Sequence, residues 1–353
     1  MRISSHLASV LPLLACACAV ESAQDPTGRE VTAGPSSALA PAEVGGPMAS
    51  FARMESGEWR RPALTRWNTF ETWHWGPGKH SMLSQSYGSD VDGEPWRALH
   101  VFYWHPGRER VCLLDLSCFA RGVSEGTVRF EGETADAVFD LYQTGQHRKM
   151  SSRWVFHGPD AYHATLLEDS GSGFTPLVEW DYVRFETRSS VPPPRVGEAP
   201  KPSQHLKALE SLLGKIWTAK GNWAAAEALD IETAFEWIPY VDAIHVRVLS
   251  PTGDGGPMHL LDAYVFHHTG TDVLRCLALS HTGGVYEGDL TVLEGGALQL
   301  DLKGYEGDRV VRHVARFDLE SDGALRQRVW SLEGQERTPT LDVRHEPHEP
   351  KQD

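Results

Sequence analysis

The chain has 353 residues, a formal net charge of -15 and 41% hydrophobic residues. This length suits two domains of ordinary size, and the apolar content is that of globular proteins. The acidic balance argues against nucleic acids and anionic membrane surfaces as partners.

The N-terminal segment has the organisation of an export signal. A positive charge at Arg2 precedes an apolar stretch that is too short to span a bilayer comfortably. Residues 13–16 read Leu-Leu-Ala-Cys and resemble a bacterial lipobox, in which cleavage leaves a lipid on Cys16; the alternative is ordinary cleavage after Ala23. We expect residues 1–23 to be a signal peptide. The mature protein would then be exported to the periplasm or outer membrane, touching the membrane only through its N-terminal lipid, or else be secreted.

The rest of the chain aligns with itself at a shift of 162 residues. Between positions 75 and 126, 12 of 52 aligned pairs are identical, where chance gives about three. Trp75 aligns with Trp237, and Glu125 aligns with Glu287. Self-similarity over this length indicates a duplicated unit.

The two copies define the domain boundaries. We predict a first domain at residues 47–188 and a second at residues 203–344. Between them, the proline-rich segment 189–202 has the composition of a semi-rigid linker. Residues 24–46 are rich in Ala, Gly and Pro and predict a disordered tether, and residues 345–353 predict a disordered tail.

Each copy predicts a short α-helix followed by strands alone. In the second copy, Ser203 can cap a helix whose apolar stripe contains Leu206, Leu209 and Leu212. Short segments rich in aromatic and β-branched residues follow in both copies, and turn signals separate them. About eight to ten such segments per copy, with no helical pattern between them, indicate an antiparallel barrel or sandwich.

In both copies a glycine and a tryptophan follow the helix. These residues are Gly57, Trp59, Gly214 and Trp217. The pattern is similar to the opening of lipocalin-like (calycin) barrels, and the late stretches SRWVF and HVARFDLESDG look like the closing half of such barrels in uncharacterised bacterial secreted families. The resemblance implies a mainly β fold of two tandem closed antiparallel barrels, each opened by a short α-helix. It also implies a small hydrophobic ligand.

Aromatic side chains at matching positions predict a ligand site in the barrels. Trp75 and Trp237 precede a proline, and they would either line a barrel mouth or plug a barrel end. Strand alternation makes Phe102 and Trp104 ligand-facing, and their aligned counterparts in the second copy face the same way. The predicted ligand-binding residues are Trp75, Phe102, Trp104, Glu125, Trp237, Tyr264, Phe266 and Glu287.

The motif Gly-Val-x-Glu-Gly occurs in both copies, at residues 122–126 and 284–288. Its two glycines lie between predicted strands and would supply positive φ in a hairpin with a bulge. A phosphate cradle would need a following helix and usually a lysine, and neither follows. The glutamates Glu125 and Glu287 would either point at a ligand or be exposed turn residues.

The sequence contains no recognisable catalytic or metal-binding motif, and we predict no catalytic residue, no metal site and no cofactor. Neighbouring strand residues such as His267 and His268 point to opposite faces, and no HxH or HExxH spacing occurs. His105, which aligns with His267, precedes a turn, where exposed histidines are common. We therefore expect a monomeric, exported, non-enzymatic binding protein. The alternatives are a hydrolase or isomerase using Glu125 or Glu287 at a barrel mouth, and a structural envelope protein that interacts with a partner.

Overall fold

A computed structural model of the chain contains two closed antiparallel β-barrels in tandem, which confirms the predicted fold class. The structure describes residues 46–61, 68–89, 95–117, 122–186, 203–221, 229–238, 241–252, 256–334 and 336–349. The predicted signal peptide with Cys16, the predicted tether up to residue 45 and the predicted linker at residues 189–202 lie outside these ranges. Among the described residues, no helix is long and apolar enough to cross a membrane.

Barrel 1 is an up-and-down barrel of ten strands. These are β1 (Glu58–Arg60), β2 (Asn68–Trp75), β3 (Ser81–Ser89), β4 (Pro95–His105), β5 (Arg110–Ser117), β6 (Gly122–Glu131), β7 (Thr134–Gln143), β8 (Gln146–Phe156), β9 (Ala161–Asp169) and β10 (Phe174–Phe185). Each strand pairs with its neighbour in sequence, and β1 pairs with β10 to close the barrel. Closure pairs the strand edges that an open sheet would expose.

Barrel 2 repeats this plan. Its strands are β11 (Ile216–Gly221), β12 (Leu229–Ile238), β13 (Ala243–Thr252), β14 (Gly256–His268), β15 (Val273–Ser280), β16 (Val285–Val292), β17 (Leu298–Glu306), β18 (Arg309–Leu319), β19 (Leu325–Glu333) and β20 (Glu336–His348). The barrel closes through pairing of β11 with β20.

The last strand is longer than we predicted. β20 continues through His348, which pairs with Ile216, so residues 345–348 are strand and not disordered tail. Alternate side chains of this strand, Leu341, Val343 and His345, are buried. This period-two burial continues the barrel wall past the expected boundary.

Each barrel opens with a 3₁₀ helix where we predicted an α-helix. The 3₁₀ helices among the described residues are Gly46–Met54, Pro77–Lys79, Pro106–Arg108, Lys207–Leu212 and Glu294–Gly296. In the first of them, the buried side chains Met48, Phe51 and Met54 recur at every third residue. The three buried leucines of the second copy have the same spacing. A period of three matches the three residues per turn of a 3₁₀ helix, which turns one edge toward the barrel.

The tryptophan after each opening helix is a structural residue. Trp59 and Trp217 are both 0% exposed. The indole Nε1 of Trp59 donates to the carbonyl oxygen of Met54, and that of Trp217 donates to the carbonyl oxygen of Leu212. These carbonyls lie at the helix ends, where backbone acceptors lack partners within the helix. The glycine–tryptophan pattern therefore ties each helix to its first strand.

A third buried cluster lies between the barrels, separate from the two interior clusters. Its members come from the outer faces of both barrels: Leu99, Val101, Tyr103, Cys112, Leu114, Leu116 and Val123, with Val241, Ala243, Tyr264, Phe266, Leu277, Leu279 and Val285. We call this contact the seam. Since burial of apolar surface is the main favourable term in association, the seam holds the barrels together.

One extra residue in β14 changes how the two copies correspond. The pairing of β13 with β14 skips Leu260, which forms a β-bulge, whereas β3 and β4 pair without one. From this bulge to the end of β15, a residue of barrel 2 therefore lies one position later in the sequence than the shift of 162 predicts for its counterpart in barrel 1. His105 corresponds to His268 and not to His267. Each of the two matched rings accepts a backbone N–H at Nδ1 from the residue three positions later.

Candidate functional site

Several predicted ligand residues face a barrel interior. Phe102 is 2% exposed and belongs to the interior cluster of barrel 1, and Trp75 and Trp104 pack against that cluster. Trp237 packs in the same way against the interior cluster of barrel 2. Ligand contact by these four residues stays a prediction.

Tyr264 and Phe266 lie in the seam and not inside barrel 2. The interior position between them in sequence belongs to Val265. The bulge at Leu260 explains the difference, because one inserted residue exchanges the inward and outward faces of the strand that follows. The predicted inward orientation of Tyr264 and Phe266 is therefore wrong.

Glu287 also lies at the seam, where it contacts side chains of barrel 1. Its Oε1 atom lies 2.9 Å from Nε2 of His105 and accepts a hydrogen bond from Nη2 of Arg108 at 2.5 Å. Burial alone would raise the pKa of this carboxyl, but the His105 hydrogen bond and the Arg108 charge hold the pKa below its ordinary value. His105 is 0% exposed, so the expectation of an exposed histidine is wrong.

Glu125 makes the reciprocal contact with barrel 2. Its Oε2 atom lies 3.8 Å from Nε2 of His268, and its Oε1 atom accepts a hydrogen bond from Nη1 of Arg275 at 3.4 Å. Burial would raise the pKa of Glu125, but these two partners lower it. Each barrel thus supplies the glutamate that faces the other barrel's hairpin histidine.

The same exchange occurs between aromatic rings. Tyr305 of barrel 2 meets His105 edge-on with ring centroids 4.4 Å apart, and Tyr142 of barrel 1 lies 4.9 Å from His268. The histidine of each barrel therefore contacts the glutamate and the tyrosine of the other barrel. This is the arrangement that an approximate twofold axis between the barrels produces.

The Gly-Val-x-Glu-Gly motif lies within strands, which differs from the hairpin that we predicted. Its final glycines, Gly126 and Gly288, are in β6 and β16 without positive φ. A Cβ atom on Gly126 would lie 2.2 Å from the carbonyl oxygen of Val138, and one on Gly288 would lie 1.9 Å from that of Asp301. The glycine therefore allows the neighbouring strand to approach, and the preceding glutamate reaches the seam.

A different set of residues forms the strongest candidate site. We call it the polar interior group: Glu71, Ser84, Ser86, His100, Asp115, Ser124 and Tyr162. Glu71 is 6% exposed, and its carboxylate accepts hydrogen bonds from Ser84 at 2.8 Å, from Ser86 at 2.9 Å and from the Tyr162 hydroxyl at 2.6 Å. Tyr162 belongs to the interior cluster, which places this network inside barrel 1.

His100 and Asp115 form the second part of this group. Nδ1 of His100 lies 3.0 Å from Oδ1 of Asp115, whose Oδ2 accepts a hydrogen bond from Ser124 at 3.1 Å. Burial alone would lower the pKa of His100, but Asp115 and, further away, Glu71 raise it above its ordinary value. The ring of His100 is therefore protonated over a wider pH range than a free histidine.

His100 points into barrel 1 and still retains exposed surface. It shares the inward face of β4 with Phe102, and the two rings are stacked with centroids 6.4 Å apart. Despite this position, the side chains of His100 and Asp115 are 27% and 15% exposed. Neither side chain is fully covered by its neighbours in the barrel.

Aromatic rings pack beside the polar interior group. Trp73 and Phe102 are stacked with centroids 5.4 Å apart, and Trp154 meets both edge-on, at 6.2 Å from Trp73 and 5.8 Å from Phe102. Because Phe102 also stacks with His100, the aromatic surface continues into the polar group. This combination suits a ligand with a flat apolar part and a polar part.

Barrel 2 lacks this polar group at the matching positions. Ser84 pairs with His100 across β3 and β4, and Val246 pairs with Ala263 across β13 and β14. Val246 therefore corresponds to Ser84, and Ala263 corresponds to His100. By the same pairing, Glu71, Ser86, Asp115 and Ser124 correspond to Thr233, Val248, Ala278 and Tyr286. The two valines and two alanines are at most 2% exposed, and the fully buried Tyr286 ring occupies the interior beside them.

The described apolar side chains inside barrel 2 pack closely and leave a small cavity between them. A cavity of about 20 Å³ remains there, and its lining is apolar, with Leu212, Phe235 and Val265 among the contributors. A space of that size holds about one water molecule, and an apolar lining offers water no hydrogen bond. The space between these side chains is far smaller than a ligand pocket.

The sequence contains a signal for the polar interior group that we did not use. On the inward face of β3, barrel 1 has Met82, Ser84 and Ser86 where barrel 2 has an isoleucine and two valines. The two copies have therefore diverged on this face of the interior, which is polar in barrel 1 and apolar in barrel 2. Among the described residues, one group of three side chains could also hold a metal ion, His205, His267 and Asp272.

Comparisons with known proteins find similar structures but no matching family model. No family model matches the chain, and no curated protein matches it. Among solved structures, the chain is similar to a DUF3598 family protein of unknown function from Nostoc punctiforme, with 10% sequence identity and a TM-score of 0.20. That match covers 86% of this chain and 99% of the other.

Proposed function

We propose that barrel 1 binds one small molecule in its interior and that barrel 2 is a filled partner that supports it. The observation that carries the proposal is the difference between the copies: barrel 1 retains Glu71, His100 and Asp115 inside, where barrel 2 has Thr233, Ala263 and Ala278. Barrel 2 also buries polar side chains, His313, Gln327 and His345, but it has no carboxylate at the positions that match Glu71 and Asp115. A buried carboxylate costs more free energy than a neutral polar group, so stability alone does not favour the two carboxylates inside barrel 1. The polar interior of barrel 1 is better explained by a ligand.

The surrounding groups indicate the class of ligand. The carboxylate of Glu71 already accepts three hydrogen bonds, so it orders the site and offers little to a ligand. The group left to recognise a ligand is His100, whose raised pKa favours a hydrogen-bond acceptor or an anion. Beside it, Trp73 and Trp154 offer apolar surface. We therefore propose a flat aromatic molecule with a carboxylate or a similar anionic acceptor, which extends the small hydrophobic ligand that the sequence predicts.

Fluorescence titration of the full chain tests this proposal. The probe is anilinonaphthalene sulfonate, a flat aromatic anion, followed by competition with a panel of aromatic carboxylates. We expect saturable binding that His100→Ala and Trp154→Ala each weaken by about tenfold, which corresponds to one lost interaction of about 1.4 kcal/mol. Thr233→Val, at the matching interior of barrel 2, is the control and should leave the affinity unchanged. Equal affinities in all four proteins would place the probe elsewhere and contradict the proposal.

A second candidate function is acid–base catalysis in the same space. The specific observation is that Asp115 orients His100 through Nδ1 while Ser124 holds Asp115. This arrangement matches a general base supported by a third group. Glu125 and Glu287 lie at the seam with cationic partners, so the proton-transfer role that we gave them is better suited to His100. Chemical conversion of a bound aromatic acid, followed by NMR and abolished by His100→Gln with binding retained, would support catalysis.

We also propose that the protein is an exported lipoprotein with lipocalin-like barrels, anchored through Cys16. This rests on the apolar N-terminal segment and on the sequence of residues 13–16. Cys16→Ser should move the protein from the membrane fraction to the soluble fraction. Unchanged fractionation would rule out a lipid at this residue.

A further inference from the structure

We propose that barrel 2 binds a divalent transition-metal ion, Zn²⁺ or Cu²⁺, through His205, His267 and Asp272. His267 ends the inward face of β14, and Asp272 follows the turn to β15. His205 comes from the turn just before the opening helix of barrel 2. The three residues therefore join two segments that are more than sixty positions apart in sequence.

The donor atoms are already close together. Each of the three residues has a ligand atom within 4.8 Å of the others. Nε2 of His267 lies 2.8 Å from Oδ1 of Asp272, and the rings of His205 and His267 have centroids 3.8 Å apart. Donor atoms bound to one zinc ion at its usual bond lengths lie about 3 to 3.6 Å apart, so these distances need little adjustment.

The backbone around these side chains is held in place. The amide of Asp272 donates to the carbonyl oxygen of His268 at 2.8 Å, and His268 Nδ1 accepts the amides of Gly270 and Thr271. On the other segment, the amide of Leu206 donates to the carbonyl oxygen of Ser203 at 3.0 Å. Metal binding therefore requires only side-chain rotation.

The required rotation falls on exposed side chains. In the structure the two imidazoles are stacked at 8°, so their nitrogens lie in two nearly parallel planes and one ring must tilt before both nitrogens face one ion. His205 is exposed, and the Asp272 side chain is 85% exposed, so both can turn without disturbing the core. The ion would then replace the proton that His267 and Asp272 share.

The donor set selects the class of metal. Two imidazole nitrogens and one carboxylate suit zinc, copper and nickel, whereas calcium and magnesium prefer oxygen ligands. Three protein ligands leave a coordination position for water or another ligand. In barrel 1 the residue that corresponds to His267 is Trp104, so the first copy cannot form the same site.

Calorimetric titration of the chelator-treated full chain with ZnCl₂ tests the site. We expect one zinc ion per chain to bind, with an affinity that falls by about tenfold or more in Asp272→Asn and in His267→Ala. Asp272→Asn preserves side-chain volume at an exposed position, so a folding defect cannot account for the change. The affinity should also fall as the pH is lowered, because protons compete with the metal ion for imidazole nitrogen.

The control is His163→Ala on barrel 1. His163 lies 2.9 Å from Asp181 and 3.9 Å from Glu179. It therefore has carboxylate neighbours, as His267 does, but these contacts include no second histidine. This variant should bind zinc as the wild type does. Absence of saturable binding by the wild type, or equal affinities in the wild type and Asp272→Asn, would overturn the proposal. Calcium chloride should give no comparable heat.

Discussion

Nε2 of His105 in barrel 1 lies 2.9 Å from Oε1 of Glu287 in barrel 2, and the corresponding pair of His268 and Glu125 crosses the seam in the opposite direction. The two contacts are unequal. The His105 and Glu287 side chains are 0% and 14% exposed, whereas Glu125 is 39% exposed and its distance to His268 is 3.8 Å. Since water weakens interactions between charges, the buried pair contributes more to the attachment of the barrels.

Replacement of the two glutamates should reveal this inequality. Glu287→Gln leaves Arg108 and the buried His105 without a carboxylate, and we expect a loss of about 2 to 3 kcal/mol in the free energy of unfolding. Glu125→Gln should cost less than about 1 kcal/mol, because its contacts are longer and more exposed. Urea unfolding followed by tryptophan fluorescence measures both. Equal losses would contradict an asymmetric seam.

Two buried histidines of barrel 2 should make the protein acid-sensitive. Burial lowers the pKa of His313 and of His345 to about 4 in each case. In the unfolded chain both titrate near 6.5, so between about pH 6.5 and 4 the unfolded state binds more protons than the folded state. Stability must therefore fall as the pH drops through this window, by up to about 3 kcal/mol for each histidine.

Melting temperatures at pH 7 and pH 5 check this prediction. His313→Leu should reduce the difference between the two temperatures, because the variant no longer takes up that proton on unfolding. His147→Leu is the control, since the His147 side chain is 57% exposed. An unchanged difference in His313→Leu would mean that the buried ring does not control the acid response.

The tryptophans that follow the opening helices give a third prediction. Trp59→Phe and Trp217→Phe retain an aromatic ring but remove the N–H that satisfies the last helix carbonyl. Each substitution should cost about 1 to 3 kcal/mol, the penalty for an unsatisfied buried acceptor together with lost contacts. Chemical unfolding measures the cost. Substitutions that leave stability unchanged would show that water replaces the indole at the helix end.

The duplicated barrel fold was predictable because its evidence is periodic. Strand alternation, turn residues and the repeat at 162 positions can all be read from a single sequence. They indicated two antiparallel barrels or sandwiches, and the lipocalin-like resemblance implied the closed barrels that the structure contains. The glycine–tryptophan pattern that contains Trp59 and Trp217 could be recognised for the same reason. Such signals depend on local spacing, which the chain itself displays.

The candidate sites were less predictable because they depend on register and on distant segments. A single bulge at Leu260 moved Tyr264 and Phe266 from the expected interior to the seam. The pairing of Glu287 with His105 joins residues of different barrels, so no local spacing encodes it. Side chains that meet only through the tertiary fold leave no periodic trace in the sequence.

The divergence of the two interiors leads to the last prediction, that barrel 1 can be converted to the filled state of barrel 2. The combined substitutions are Glu71→Thr, Ser84→Val, Ser86→Val, His100→Ala, Asp115→Ala and Ser124→Tyr. The tyrosine is needed because Tyr286 fills the corresponding space in barrel 2. We expect the combined variant to be as stable as the wild type or more stable by about 1 to 4 kcal/mol, because apolar packing often replaces a buried charged network without loss.

Partial conversion should have the opposite effect on stability. Ser84→Val alone removes one of the two donors to Oε1 of Glu71 and should cost about 1 to 3 kcal/mol, because the buried carboxylate loses a hydrogen bond and Oε1 keeps only the Ser86 hydroxyl. Urea unfolding compares the single and combined variants, and titration with anilinonaphthalene sulfonate follows binding. The combined variant should lose probe binding while it gains or keeps stability. If it binds the probe as the wild type does, the polar interior group is not the ligand site; if it unfolds more readily than Ser84→Val, that group is required by the fold and its presence does not indicate a ligand.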